Sequence, residues 1–322
     1  MLFYSVLKYF FLGGILLVPM YSIIKFKAFW LLLSDVGHMA LGSGSVNPFI
    51  FALYREVVAS AMMFFYVQYR EVQSTIDRKD YFTFLFLGTC SFLNVVTACC
   101  ALRYISATRY AILQPSVPCL ATVIAIVSGV EPFSLIKILG ILFAVAGALV
   151  VVLSKSSGND HSESHVFFGT TIVLIQVSAM ANLVVFQKPL LLKYDPSLVT
   201  FTYYTVGTGL TMVLCIVSAP LSISFSDLYF DNDILPWFGL AYATTFATLY
   251  TYNALSWAGK HLSPSTTAVF CTFQPVGTML LSLVIFGSAA TKSEIIGAVL
   301  VIVGLLVTVT EQQQQLQDVL PE

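Results

Sequence analysis

Charge is scarce in this chain. Asp, Glu, Lys and Arg make up 10% of its 322 residues, against roughly 25% in ordinary soluble domains. A soluble protein of this length could not cover its core with so few polar groups. The formal net charge of −1 argues against nucleic acid as a partner, which would need a basic face. Histidine is rare too, at four residues, and no Cys/His spacing suggests a metal site. No H-E-x-x-H, G-x-S-x-G or paired intramembrane aspartates occur, which argues against an intramembrane enzyme, and no cofactor is implied. There is no N-x-S/T sequon. The six cysteines (Cys90, Cys99, Cys100, Cys119, Cys215, Cys271) all fall in apolar stretches, where a thiol is a small packing residue. Gly42-Ser43-Gly44-Ser45 reads as a flexible loop, since no GK[ST] follows it.

What the chain has instead is apolar length. A bilayer core about 30 Å thick needs roughly 20 apolar residues per helix. Phe49–Tyr69, Tyr81–Ala101, Ile105–Ser128, Phe133–Leu153, Val166–Phe186, Leu198–Ala219, Leu235–Trp257, Leu262–Phe286 and Ile295–Thr310 each come near that length. At least one further span lies before residue 42. There Leu2–Ile24 is long enough to cross alone, Lys25 and Lys27 interrupt, and Ala28–Leu41 carries Asp35 and His38. One bent helix gives ten spans in all, which is the reading adopted; an extra helix before the repeat gives eleven.

The second half of the chain repeats the first. Ile138-Leu139-Gly140 matches Ile295-Ile296-Gly297, Gly147 matches Gly304, and Pro118 matches Pro275, all at one offset of 157 residues. Ala101-Leu102 corresponds to Ala254-Leu255. Asn47-Pro48 corresponds to Asp195-Pro196, each opening the second helix of its half. Five helices per half is an odd number, so the two copies insert in opposite directions, the plan of many secondary transporters. The expected fold is therefore all-α integral membrane, about ten transmembrane helices as two inverted five-helix repeats. The repeats are residues 1–154 and 166–310, joined by the polar linker 155–165 (KSSGNDHSESH) and followed by a cytoplasmic tail, 311–322, read as a helix fraying into disorder. With the N-terminus inside, seven Lys and Arg (Arg70, Arg78, Lys79, Lys137, Lys188, Lys193, Lys260) fall at inner helix ends and four (Arg103, Arg109, Lys155, Lys292) at outer ends, in accord with the positive-inside rule.

These passages resemble the drug/metabolite transporter superfamily, and within it the EamA-type transporters, with the plant nodulin-21-like (WAT1-related) group nearest in pattern. Ser45-Val46-Asn47-Pro48-Phe49 running on to Tyr54-Arg55 is similar to the family's entry into helix two. Ala101-Leu102-Arg103-Tyr104-Ile105-Ser106-Ala107, leading through Pro118 to Gly129-Val130-Glu131, is similar to its "AL…SA…P…GE". Gln274-Pro275 through Phe286-Gly287 to Gly297 and Gly304 resembles its closing pattern. Where the family usually has a second Glu, this chain has Ser288. The resemblance implies a multi-pass integral membrane protein that moves a small organic solute, with both termini cytoplasmic.

Polar groups inside spans are costly and are the candidates for function. Arg55 and Glu56 sit in helix two, about 100° apart, so each needs a partner from another helix. Their functional reading is a counter-ion for a charged substrate and, for Glu56, a coupling proton site; an interhelical ion pair is the structural alternative. Asn94, Gln114, Gln176, Asn182, Tyr203, Tyr204, Tyr250, Asn253 and Gln274 are uncharged polar groups from many helices of both halves, as a midplane cavity requires. The substrate-binding set is Asn94, Gln114, Tyr204, Tyr250, Gln274, Arg55 and Glu56. Tyr252 is placed in the interfacial aromatic belt. Glu131-Pro132 is read as a structural hairpin, and Gly140, Ala144 and Ala148 as a close helix contact. The function expected is secondary transport of small organic metabolites, amino acids or related amphipathic solutes, by alternating access. The alternative is a sugar-phosphate or nucleotide-sugar carrier, for which the spans hold few Lys and Arg.

Overall fold

The computed structural model describes residues 47–72, 75–101, 104–105, 110, 113–154, 163–222, 237, 240–241, 243–273, 276 and 291–319. The expected first span, residues 223–236, most of the linker and Gln274 lie outside the described residues.

All regular structure among the described residues is helical. In chain order the helices are α1 (Pro48–Tyr69), α2 (Tyr81–Ala101), α3 (Ser116–Val127), α4 (Leu135–Ser154), α5 (Glu163–Phe186), α6 (Lys188–Lys193), α7 (Pro196–Ser222), α8 (Thr251–His261), α9 (Pro264–Val269) and α10 (Lys292–Val319). Two 3-10 turns, Arg78–Asp80 and Phe270–Phe273, and a π-helical segment, Ala243–Tyr250, complete the set. Among the described residues six helical stretches are long and apolar enough to cross a membrane: Phe49–Tyr69, Arg78–Ala101, Leu135–Leu153, Phe167–Lys193, Pro196–Ser218 and Lys292–Gln312. Their outward faces carry large bare side chains, such as Phe65, Phe82 and Phe167 at 70%, 80% and 78% exposure. Water would not tolerate such a surface, and lipid requires it.

Local sequence explains the helix starts. Asn47 Oδ1 accepts the Phe49 N–H at 3.1 Å, with Pro48 at the first helical position of α1. Asp195 Oδ1 accepts the Ser197 N–H at 2.9 Å, with Pro196 opening α7. The matched dipeptides thus do the same work twice, capping orphan N–H groups where proline loses nothing. Proline also explains two departures from expectation. Ile105–Ser128 is not one helix: Gln114-Pro115 forms a turn and α3 begins only at Ser116. The span expected from Leu262 opens as the short α9, then tightens into a 3-10 turn. α10 runs to Val319, well past the expected fraying at Glu311, because Ser134 Oγ donates to Glu311 Oε1 at 2.6 Å and Gln312 is buried.

The tightest crossing joins α4 and α10, antiparallel. A Cβ at Gly147 would lie 2.5 Å from the Gly297 carbonyl oxygen, and one at Gly304 would collide with the backbone of Gly140 and Ala144. Gly140, Ala144 and Ala148 do form the close contact that their spacing suggests. Ala144 and Ala148 are fully buried against Val301 and Leu305. Without a hydrophobic driving force in lipid, such small-residue seams let dispersion hold helices together.

Candidate functional site

Three neighbourhoods in this bundle hold buried or clustered polar groups. The first is a chain of side-chain hydrogen bonds. Asn94 of α2 donates through Nδ2 to Tyr252 Oη of α8 at 2.5 Å. Gln176 of α5 donates to Asn94 Oδ1 at 2.6 Å. Gln114, at the turn before α3, donates to Gln176 Oε1 at 2.9 Å. The chain thus links four helical segments, two from each half of the sequence. The Tyr252 ring then meets the Tyr204 ring of α7 edge-on, centroids 5.3 Å apart, with Tyr203 at 6.5 Å. Arg55 of α1 lies within electrostatic range of Tyr204, Tyr252 and Cys99.

This cluster is under-satisfied. Among the described residues Arg55 Nε and the hydroxyls of Tyr203 and Tyr204 are buried with no hydrogen-bond partner. Glu56 is 0% exposed, and neither carboxylate oxygen has a partner among the described residues. Thr211 of α7 lies beside it, but directs its hydroxyl to the Gly207 carbonyl at 3.2 Å. Thr244 and Thr248, buried hydroxyls of the π-helical segment, also lack a hydrogen-bond partner of good geometry among the described residues, Thr248 standing beside Tyr204. Native proteins leave few buried polar groups unpaired, and a concentration of them marks a place where a ligand or proton is expected. A π-helical segment in the same region fits, since such segments recur at functional sites.

The second neighbourhood lies at the end of the bundle that carries Lys188, Lys193 and Lys260. Glu131, 6% exposed, accepts from Lys137 Nζ at 2.7 Å and from the Ser265 N–H at the start of α9 at 2.7 Å. Lys137 also donates to Ser263 Oγ at 2.8 Å. Lys188 Nζ caps the end of α8 through the carbonyls of Gly259, Lys260 and Leu262 at 2.8, 3.1 and 2.8 Å. On the surface, Lys193 pairs with Asp77 and Asp80, and Tyr194 donates to Asp80 at 2.6 Å. Glu131, Lys137, Lys188, Lys193, Asp77 and Asp80 are thus all matched. The reading of Glu131-Pro132 as structural agrees with this geometry.

The third is a cleft of about 750 Å³ between the end of α1, the start of α7 and the π-helical segment with α8. Tyr250 and Asn253 line it, together with Arg70, Trp257 and Lys260.

Of the expected site residues, the structure brings Asn94, Gln114, Tyr204 and Arg55 into one cluster with Glu56 beside it. Tyr250 lines the cleft instead, and Gln274 lies outside the described residues. The interhelical ion pair considered for Arg55 and Glu56 is not formed among the described residues. Two members escaped the site set drawn from sequence. Gln176 is visible only as one more polar residue in a span. Tyr252 is assigned by sequence to the aromatic belt, yet is 6% exposed. A tyrosine near a span's end reads equally as belt or core until its neighbours are known.

An all-helical bundle with lipid-type outer faces and an under-satisfied polar interior defines a multi-pass membrane protein. The EamA-like transporter family matches residues 26–153 and 167–310, and the chain belongs to that family. It is 25% identical over 266 residues to an uncharacterized transporter of Bacillus subtilis, YyaM, covering 82% of this chain and 85% of that protein. It is 24% identical to Protein WALLS ARE THIN 1 of Arabidopsis thaliana, covering 84% and 77%. A solved crystal structure superposes with a TM-score of 0.71 over 92% of this chain and 97% of that one, at 14% identity, a likeness of fold.

Proposed function

We propose that this membrane transporter carries small organic metabolites, amino acids or related amphipathic solutes, by alternating access between two inverted five-helix repeats. The observation that carries the reading is the hydrogen-bonded chain Gln114–Gln176–Asn94–Tyr252 with Tyr204 and Arg55 beside it. Polar groups from both halves have few reasons to converge in lipid except to meet a solute. Asn94, Gln114, Tyr204, Tyr250, Gln274 and Arg55 are the proposed substrate contacts. Glu56 is the proposed coupling site for a proton. Among the described residues Arg55 is the one cation of this cluster, which favours zwitterionic, monoanionic or neutral solutes over sugar phosphates.

Two contacts support inversion. Gly140 and Gly297 are repeat equivalents, as are Gly147 and Gly304. Across the α4–α10 crossing Gly140 meets Gly304 while Gly147 meets Gly297. Equivalent residues exchange partners in this way about a two-fold axis. Ser60 and Thr208 stand equally far beyond Asn47 and Asp195, and their hydroxyls bond to each other at 2.7 Å, as residues on such an axis do. With Lys and Arg biased inward, Asp77 and Lys188 face the cytoplasm, and Asn159 and Asp231 face the other side.

Uptake and efflux in vesicles, with amino acids, indoles and sugar phosphates at two pH values, tests the function. Amino acids or indoles moving with a pH-dependent rate is the expected result; movement of sugar phosphates alone overturns it. Cysteine labelling that places Asp77 and Asp231 on one side overturns the inverted repeat.

A further inference from the structure

Apart from Tyr250, the described residues that line the cleft at the end of α1 are not among the proposed solute contacts. Arg70 and Lys260 stand at its rim, and among the described residues neither has an acidic partner. The Arg70 guanidinium sits over the Tyr66 ring, 6.0 Å from its centroid. His261 stands beside them, its ring 4.6 Å from that of Trp257. Among the described lining residues the one acid, Asp195, is engaged in capping α7 through the Ser197 N–H. Leu249, Tyr66 and Trp257 supply apolar and aromatic surface to the lining, alongside polar Thr245 and Asn253. Cations at the mouth, apolar surface in the lining and aromatics at the interface level match an anionic headgroup with its acyl chains. The volume, about 750 Å³, is ample for such a group.

We infer that this cleft is a binding site for an anionic phospholipid of the cytoplasmic leaflet, its phosphate held by Arg70 and Lys260 and its chains laid along Tyr66, Leu249 and Trp257. The leaflet rests on the orientation proposed above. The site itself rests on the cleft. Bound lipid would bridge α1 of the first half to α7 and α8 of the second, so it would stabilise the folded bundle by mass action.

The full-length protein in nanodiscs of phosphatidylcholine, with and without phosphatidylglycerol, tests this by thermal unfolding and by native mass spectrometry of retained lipid. Phosphatidylglycerol should raise the unfolding temperature by several degrees and be retained. R70Q/K260Q should lose both effects, with retention weakened roughly tenfold or more, while unfolding in pure phosphatidylcholine stays near that of the unaltered protein. R70K/K260R, which keeps both charges, should keep both effects and guards against a folding defect in the neutral pair. Equal effects in R70Q/K260Q and the unaltered protein overturn the proposal. So does equal retention of phosphatidylcholine, or a matching shift from soluble glycerophosphate alone, which would make the cleft a site for a free anion. Solute transport measured in the same nanodisc lipids, reconstituted as vesicles, fails separately if the transport reading is wrong. Labelling of a cysteine at Arg70 separately reports its side of the membrane.

Discussion

Of the glutamates buried in this bundle, Glu56 and Glu131 live opposite lives. Glu131 is held by an ammonium and a backbone N–H at 2.7 Å each, and its lysine is held in turn by Ser263. Among the described residues neither carboxylate oxygen of Glu56 has a hydrogen-bond partner, although the Thr211 side chain lies beside it, and neither does Arg55 Nε. A buried carboxylate with a full set of partners is scaffold: it fastens the α3–α4 hairpin to the start of α9, one half of the chain to the other. A buried carboxylate with none has been kept at a cost of several kcal/mol unless it takes a proton. The contrast teaches that burial alone does not single out an acid for function in a membrane; missing partners are what make Glu56 the candidate.

The contrast can be broken most forcefully at Glu131. Glu131→Gln leaves Lys137 buried without its counter-charge and weakens the hold on the Ser265 N–H, so it should cost about 3–5 kcal/mol. Thermal unfolding in detergent would show it, and an unchanged unfolding temperature would mean the latch is not structural. Asn94→Leu should come next. It strands the Tyr252 hydroxyl and the Gln176 amide inside the bundle, a loss of about 1–3 kcal/mol, and transport should fall further than stability does. Stability lost with transport intact would make the chain a packing device. Lys193→Ala removes an exposed ion pair and should cost about 0–1 kcal/mol, a control for charge at the same end of the molecule. Glu56→Gln should have the smallest effect on unfolding, since no partner is lost. Its effect on function is the sharpest of the four. Exchange of labelled solute should survive while pH-driven accumulation disappears. Should both persist, or the protein fail to fold, Glu56 is not the coupling group.

Much of this was legible in the chain. The spans Phe49–Tyr69, Tyr81–Ala101 and Phe133–Leu153 reappear as α1, α2 and α4 within two residues at either end, because hydropathy and length are local quantities. The caps at Asn47-Pro48 and Asp195-Pro196 were legible for the same reason. So was the Gly140–Ala144–Ala148 seam, since its four-residue spacing lies on one helix. The candidate site was half legible. Asn94 and Gln114 stood out as polar residues in apolar runs, but nothing in the sequence said that Gln176 would join them. Likewise Tyr252, rather than Tyr250, completes the chain. Adjacent turns of one helix differ by a rotation that hydropathy does not resolve near a π-helical segment, where the register of every following side chain shifts.

The sequence by itself determined that this chain crosses a membrane many times, where most helices begin, and which few polar residues would have to be explained. Those facts follow from the cost of placing peptide and side-chain polarity in lipid, one segment at a time. Only the tertiary structure decided which polar residue answers which. Glu131 is satisfied by residues 6 and 134 positions along the chain, and Asn94 by one 158 positions away. Whether a buried group is scaffold or site depends on such distant partners. Helix packing brings them within 3 Å or leaves them apart, and no local pattern encodes that outcome.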